Sequence, residues 1–317
     1  MTTTVTAEEQ GQRLDRFLRL RLPHAPLSLI FRLIRTGGAR VDGRRVPGSH
    51  RLAAGDQVET QIDAGEAAGD SRSRVDPSRI VDSVFFQRSF RVVFEDEAVL
   101  ACDKPPGLVV HPGSGHTRGD SLVELADAYL ARRGGGRAWL VHRIDRDTSG
   151  LILLAKGRQA LLPLTEALRR GGMRKTYALV CHGRPAQSHG RLETRLVRTY
   201  GRNTGAKMVV ADEGQEARST YRVVRTRGGV SMLDVTLETG RTHQIRVQMA
   251  HLGCPIAGDV RYGNAELDER LFRDRTLERR LYLHARALAF PHPLTGETIA
   301  LDVPPPESFA RVLDAPR

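Results

Sequence analysis

A stretch rich in alanine, glycine, serine, aspartate and arginine, residues 64–88, divides this 317-residue chain into a short and a long part. The stretch has no sustained hydrophobic period, so it offers no regular face to a core, and its composition is typical of a linker. The chain is long enough for one large and one small domain, and 40% of its residues are hydrophobic. We therefore expect a small domain over 12–63, a linker over 64–88 and a large domain over 89–317.

The short part combines two amphipathic helices with a tight turn. Apolar residues recur at helical spacing from Leu14 to Leu18 and again from Leu27 to Ile34, and Asp42-Gly43 predicts a two-residue hairpin between 39–41 and 44–46. The second helix and the hairpin share a cluster of basic residues, which are Arg32, Arg35, Arg40, Arg44 and Arg45. Such a cluster is expected of a phosphate-binding surface, and an ordinary solvated basic face is the alternative.

In the long part, strand-like runs alternate with helical stripes. Ser121 and Glu124 have the spacing of a capping box at the start of one helix, and Thr242 is predicted to cap another that carries Ile245 and Met249. Predicted strands include 91–94, 98–101, 175–180, 219–224 and 232–237, with short strands between 281 and 303. The pattern predicts a mixed α/β domain of the α+β class.

Composition narrows the classes of partner and of site. The formal net charge of +12 favours a polyanionic partner, nucleic acid above all. The three cysteines, Cys102, Cys181 and Cys254, are widely spaced in apolar surroundings, which predicts buried reduced thiols rather than a metal site or disulfides. The longest apolar runs are only strand-sized, and the first residues lack the pattern of a signal peptide. We expect a cytoplasmic protein without a membrane segment or a bound metal.

One connection between two predicted strands is unusually rich in charged residues. His142-Arg143-Ile144-Asp145-Arg146-Asp147-Thr148-Ser149-Gly150 joins two apolar runs that are predicted strands. The segment carries a histidine, two arginines and two aspartates, followed by the hydroxyls and the glycine of a tight turn. Spacing alone leaves two readings open, a functional site or a polar loop with an internal salt bridge.

The segment resembles the signature of the RluA-type RNA pseudouridine synthases, which is His-Arg-Leu-Asp, two residues, and Thr-Ser-Gly. Ile144 replaces the usual leucine. Three further stretches resemble motifs of that family in the family's order, and they are 103–112, 174–177 and 240–247. The short part resembles an S4 RNA-binding domain. The resemblance implies a catalytic domain built on a mostly antiparallel mixed sheet, which converts uridine to pseudouridine in RNA without a cofactor.

The resemblance also implies roles for single residues. Asp145 matches the catalytic aspartate, Arg246 the arginine that pairs with it, and Tyr177 the tyrosine that stacks on the flipped base. Ile245 matches a residue that helps floor the uracil pocket, and Arg143 one that fills the space left by the uracil. Two further residues, Lys104 and His142, are expected to contribute to substrate binding in the cleft. Asp147 has no matching role and is expected to be a turn or salt-bridge residue.

Details of several motifs resemble the RluC-like group, whose members act on large-subunit ribosomal RNA. Among them is Gly258-Asp259-Val260-Arg261-Tyr262-Gly263, whereas residues 111–115 mix features of this group with those of the RluD-like group. We therefore expect the partner to be 23S ribosomal RNA or its precursor, and the enzyme to be a monomer. Two alternatives are a synthase acting on transfer RNA and a non-catalytic RNA-binding or ribosome-assembly factor.

Overall fold

The computed structural model of the protein describes residues 2–22, 27–61, 91–111, 121–201 and 205–315. The chain divides into two compact units, Met1–Asp76 and Pro77–Arg317. The predicted linker, 64–88, lies outside the described residues. In the described ranges, no helix is both long enough and apolar enough to cross a membrane.

The N-terminal unit contains two helices and a small sheet. Helices α1 (Leu14–Arg21) and α2 (Leu27–Thr36) pack with strands β1 (Thr2–Thr4), β2 (Ala39–Val41) and β3 (Gln57–Thr60), in the sheet order β1-β3-β2. The predicted start at residue 12 is too late, because β1 pairs with β3 and completes the sheet.

The Asp42-Gly43 turn in this unit is present, with φ of 48° and 71°. The predicted second arm of its hairpin, 44–46, is not a strand. Apart from one bridge between Val41 and Arg44, β2 takes β3 as its antiparallel partner. Sequence shows the turn but not which later segment supplies the ladder of hydrogen bonds.

The C-terminal unit is built on one sheet of eleven strands among the described residues, in the order β10-β9-β11-β12-β8-β13-β7-β5-β4, with β14 beside β13 and β6 beside β7. The strands are β4 (Arg91–Glu95), β5 (Val99–Lys104), β6 (Trp139–Leu140), β7 (Ser149–Ala155), β8 (Arg174–His182), β9 (His189–Gly201), β10 (Gly205–Val210), β11 (Gln215–Arg227), β12 (Val230–Leu237), β13 (Leu283–Pro291) and β14 (Thr298–Asp302). Only β7 and β13 pair in parallel, so the predicted mostly antiparallel mixed sheet is confirmed.

Helices flank this sheet, and they are α3 (Leu122–Arg132), α4 (Arg158–Arg169), α5 (Gln244–His251), α6 (Ala265–Leu271) and α7 (Glu307–Asp314). The capping box of Ser121 and Glu124 at the start of α3 is confirmed. The predicted cap of α5 is wrong, because the residue before the helix is His243 in a left-handed conformation, with φ of 55°. The side chain of Gln244 closes this turn instead, since its Oε1 accepts from the Arg241 amide and the Thr239 hydroxyl.

The parallel pair at the middle of the sheet depends on one glycine. Gly150 is the second residue of β7, lies beside Ala285 of β13 and has a φ of 105°. A Cβ atom there would lie 2.3 Å from the carbonyl oxygen of Ala285, so any larger residue would push the strands apart. The glycine therefore brings the charged segment 142–149 next to β13, and β8 lies on the other side of β13.

Candidate active site

A buried lysine holds the backbone of the charged segment 142–150 in place. The ammonium of Lys104 donates to the carbonyl oxygens of Pro105 (2.8 Å), Leu108 (2.9 Å) and Arg146 (2.7 Å). The residue is 0% exposed, and burial lowers its pKa to about 7, against the opposing effect of Asp147 and Asp145. All three donors of the ammonium are used. Lys104, which was expected to bind substrate, does not line the cleft, and its contacts shape the loop that carries Asp145.

His142 also stabilises the segment, through a hydrogen bond to β7. Its Nε2 accepts a hydrogen bond from the amide of Leu153 at 3.2 Å, and the side chain does not line the cleft. Burial lowers the pKa of His142 to about 3, so the imidazole is neutral. The expectation that His142 contacts substrate is thus not met by its position, because the ring packs against β7.

Asp145 lies in an open cleft. Its side chain is 26% exposed, and its Oδ2 accepts from Nη1 of Arg246 at 3.0 Å. The Nε2 atom of His243 lies 3.9 Å from the same oxygen. The cation that the sequence placed beside Asp145 is therefore present.

The guanidinium of Arg246 is shared with a second carboxylate, that of Asp259. Its Nε and Nη2 atoms donate a bidentate pair of hydrogen bonds to Asp259, at 2.7 Å each, and the Asp259 side chain is 0% exposed. Burial alone would lower the pKa of Arg246 and raise that of Asp259, but their hydrogen bonds and opposite charges reverse both shifts. The amides of Arg261 and Tyr262 also donate to Asp259. This carboxylate fixes the plane of the guanidinium that reaches Asp145.

The sequence predicts no role for Asp259 or Tyr262, although both belong to the motif 258–263. His243 Nδ1 lies 2.8 Å from the hydroxyl of Tyr262, which accepts from the amide of Met208 at 3.1 Å. Burial lowers the pKa of His243, while the charge of Asp145 opposes this. The left-handed backbone at His243 could not be predicted from the sequence, since a helix pattern carries no information on the conformation of the residue before the helix.

Apolar side chains form part of the cleft wall. Tyr177 is 7% exposed and Ile245 is 5% exposed, and Leu237 and Leu283 also line the space. Burial and then the charge of Asp145 raise the pKa of Tyr177, so its hydroxyl stays protonated. Arg143 lies at the exposed rim. The structure thus brings together Asp145, Tyr177, Arg246, Ile245 and Arg143, as the sequence predicted.

The remaining charged residue of the segment points elsewhere. Asp147 receives two hydrogen bonds from its neighbour Arg146, at 2.9 and 3.0 Å, and its side chain is 41% exposed. It does not line the cleft. This agrees with the prediction of a salt-bridge residue.

The five arginines of the N-terminal unit are all exposed, and they are Arg32, Arg35, Arg40, Arg44 and Arg45. Arg40 donates to the carbonyl oxygens of Gly37 and Gly43, and Arg45 donates to that of Arg35. Carbonyl partners do not neutralise a guanidinium, so Arg40 and Arg45 keep their positive charge. Arg32 and Arg40 also line a shallow groove with Gln61.

The cleft can hold a flat ring beside a carboxylate that is paired with an arginine. The described part of the chain contains no group of three or more histidine, cysteine, aspartate or glutamate side chains placed to hold a metal ion. Cys102, Cys181 and Cys254 are buried free thiols, as predicted.

Comparison with known proteins identifies relatives over the whole length. The family model described as RNA pseudouridylate synthase matches residues 98–251. The chain is 37% identical to ribosomal large subunit pseudouridine synthase C of Escherichia coli strain K12, over 98% of this chain and 94% of that protein. The protein of the same name from Buchnera aphidicola subsp. Schizaphis graminum is 32% identical, over 93% and 90% of the two chains.

A solved structure agrees with the fold. Human RNA pseudouridylate synthase domain containing 4 is 25% identical and superposes with a TM-score of 0.57, over 72% of this chain and 93% of that one. Identity above 30% across nearly the full length of both chains, together with the shared sheet, is decisive. The chain belongs to the RNA pseudouridylate synthase family.

Proposed function

We propose that this protein converts specific uridines of large-subunit ribosomal RNA to pseudouridine, with Asp145 as the catalytic residue. The observation that carries the proposal is the Asp145 carboxylate, held 3.0 Å from Arg246 at the edge of a slot lined by Tyr177 and Ile245. The choice of RNA is supported by relatives named for the large ribosomal subunit, which align with almost the whole chain.

The reaction is an isomerisation that needs no redox equivalent. The bond between N1 of the uracil and C1′ of the ribose breaks, the uracil turns, and a bond forms between C5 and C1′. A proton leaves C5 and one is added to N1, so atoms and electrons balance. The carboxylate of Asp145 acts at the sugar, either on positive charge at C1′, as a nucleophile there, or as a base at C2′.

The other cleft residues hold the substrate. The target base must first leave the RNA stack, at a cost of a few kcal/mol. Tyr177 and Ile245 then lie on the two faces of the flipped uracil, and Arg143 fills the space that the base vacates. The exposed arginines of the N-terminal unit, which we propose is an S4-like domain, contact RNA phosphates. We further propose that the enzyme acts as a cytoplasmic monomer without metal or cofactor.

The test is a map of pseudouridine in RNA from cells with and without the gene. We expect one or more positions of large-subunit ribosomal RNA to revert to uridine in its absence, and to regain pseudouridine when the gene is restored. If pseudouridine is lost from transfer RNA alone, the substrate is transfer RNA rather than ribosomal RNA. An unchanged map would contradict the proposal. The purified protein, incubated with the corresponding unmodified RNA, should produce the same positions.

A further inference from the structure

Lys175 is a lysine in the cleft whose charge is not balanced by the protein. It lies on β8 two residues before Tyr177, so both side chains reach the same face of the strand, and both line the cleft. Leu237, its neighbour across the β8–β12 ladder, lines the cleft too. Lys175 is half-buried.

The other lysines each have a partner. Lys104 has three carbonyl acceptors, Lys156 contacts Glu95 at 2.8 Å, and Lys207 lies over the ring of Tyr262. Within the described ranges, neither a hydrogen-bond acceptor nor a carboxylate lies within bonding distance of the Lys175 ammonium. Burial lowers the pKa of this lysine, as expected for a cation without a compensating anion.

Space around the ammonium is kept open by a glycine. A Cβ atom at Gly240 would lie 3.3 Å from Nζ of Lys175, which is tighter than an ordinary contact. Gly240, which follows β12, therefore leaves room for the Lys175 ammonium in the cleft that both residues line.

In the proposed reaction, a cation on the side of the base would stabilise the leaving uracil. When the bond between N1 and C1′ breaks, its electron pair stays on N1, and the negative charge spreads to O2 and O4 of the uracil. The nearby carboxylate of Asp145 would repel this charge. Arg246 is already engaged by Asp145 and Asp259, and Arg241 donates to the carbonyl oxygen of Glu216.

We propose that the ammonium of Lys175 binds a carbonyl oxygen of the flipped uracil and stabilises the uracil anion as the glycosidic bond breaks. This inference rests on the proposed pseudouridine synthase activity. A donor placed where charge develops contributes more in the transition state than in the ground state, so its removal lowers the rate of the bond-breaking step rather than the affinity.

The experiment compares wild type, Lys175→Met and Lys175→Arg in single-turnover reactions with saturating enzyme. The substrates are the mapped target RNA and the same RNA with 5-fluorouridine at the target, for which loss of the intact nucleoside is followed. The matched control is Arg174→Met, which removes the same charge from the adjacent, exposed position of β8. Lys175→Gln replaces the methionine variant if the latter does not fold.

We expect Lys175→Met to lower the rate on uridine by about 100-fold or more, with RNA affinity and its salt dependence unchanged. Lys175→Arg should retain part of the rate, and Arg174→Met nearly all of it. Fluorine withdraws charge from the uracil, so cleavage of 5-fluorouridine should depend less on Lys175, and the loss should shrink to about 10-fold.

Equal losses on both substrates would overturn the inference, because a structural role does not depend on the leaving group. A weaker affinity with a flatter salt dependence would also overturn it and assign Lys175 to a phosphate. If wild type and Lys175→Met are equally active, the inference about Lys175 is wrong, whereas the proposed function is not affected. A wild type that forms no pseudouridine would contradict the proposed function as well.

Discussion

Arg246 has two carboxylate partners, and this determines the effect of changing it. Arg246 forms a bidentate pair of hydrogen bonds with Asp259, and a single nitrogen donates to Asp145. Removing the guanidinium leaves the buried Asp259 uncompensated, at a cost of about 3–5 kcal/mol. A lysine supplies one point charge and cannot reproduce the planar contact.

We therefore predict that Arg246→Ala lowers the single-turnover rate by more than about 100-fold and Arg246→Lys by less, without full recovery. Asp259→Asn should lower the rate about 10-fold, because the carboxylate of Asp259 holds Nε and Nη2 of Arg246 and its loss loosens the guanidinium. The exposed Arg261→Ala is the control and should keep nearly full activity. Urea unfolding separates loss of fold from loss of rate, and wild-type rates in both Arg246 variants would show that Arg246 does not serve Asp145.

His142 makes the stability of the protein depend on pH. Its pKa is about 3 in the folded protein, against an ordinary value of 6.5. Between these values the unfolded chain binds a proton that the folded protein does not, so stability decreases as the pH falls below 6.5. A glutamine in its place still offers an acceptor to the amide of Leu153 but does not titrate.

We predict that wild type loses about 2 kcal/mol more than His142→Gln between pH 7 and pH 5, measured by urea unfolding at each pH. The difference between the two proteins cancels the contributions of the other histidines. Parallel pH dependence of wild type and variant would mean that His142 is protonated without difficulty in the folded protein.

At the scale of single residues, sequence identified those that line the cleft and misplaced those that support it. Asp145, Tyr177 and Arg246 belong to motifs, and the structure brings them together. Lys104 belongs to a motif as well, yet its ammonium is buried under the loop. A motif records that a side chain is required but not whether it faces the ligand or the protein. The role of Asp259 depends on a contact with Arg246 that no spacing reveals.

At the scale of elements, the parallel pairing of β7 with β13 positions the catalytic segment. The pairing joins strands far apart in the sequence, so the local patterns predicted both strands without predicting that they meet. Local signals sufficed where the interaction is local, as in the capping box of α3. The α5 cap was missed because its geometry depends on the Gln244 side chain rather than on Thr242.

The close approach at Gly150 yields a direct test of this pairing. Gly150→Ala combines a φ of 105° with a Cβ that overlaps the β13 backbone, whereas Gly296→Ala at a φ of 75° meets open space. We predict a cost of about 1–2 kcal/mol for Gly296→Ala and about 3 kcal/mol or more for Gly150→Ala, with loss of activity in the latter only. Thermal and urea unfolding measure both. Equal costs would show that β7 and β13 tolerate separation.

At the scale of the whole molecule, we propose that the N-terminal unit binds RNA and that the C-terminal unit carries out the chemistry. We predict that replacing all five exposed arginines of the N-terminal unit by glutamine in the full-length protein weakens RNA binding and flattens its salt dependence. Each lost phosphate contact reduces the slope of log affinity against log salt by about 0.7–0.9. The rate on bound RNA should persist. The control replaces Arg169, the last residue of α4, and Arg170, which follows it; both pair with Glu166. An unchanged slope in the five-residue variant would show that this surface does not touch the substrate.

We propose that the carboxylate of Asp145 performs the isomerisation. The direct measurement is pseudouridine formed in the target RNA by purified wild type, Asp145→Asn and Asp147→Asn, with RNA affinity measured in parallel. Asp145→Asn should form none while binding RNA within a few-fold of wild type, because the basic surface is intact. Asp147→Asn should keep most of the activity, since Asp147 only pairs with Arg146 at the surface. Turnover by Asp145→Asn, or an equal loss in both variants, would contradict the account.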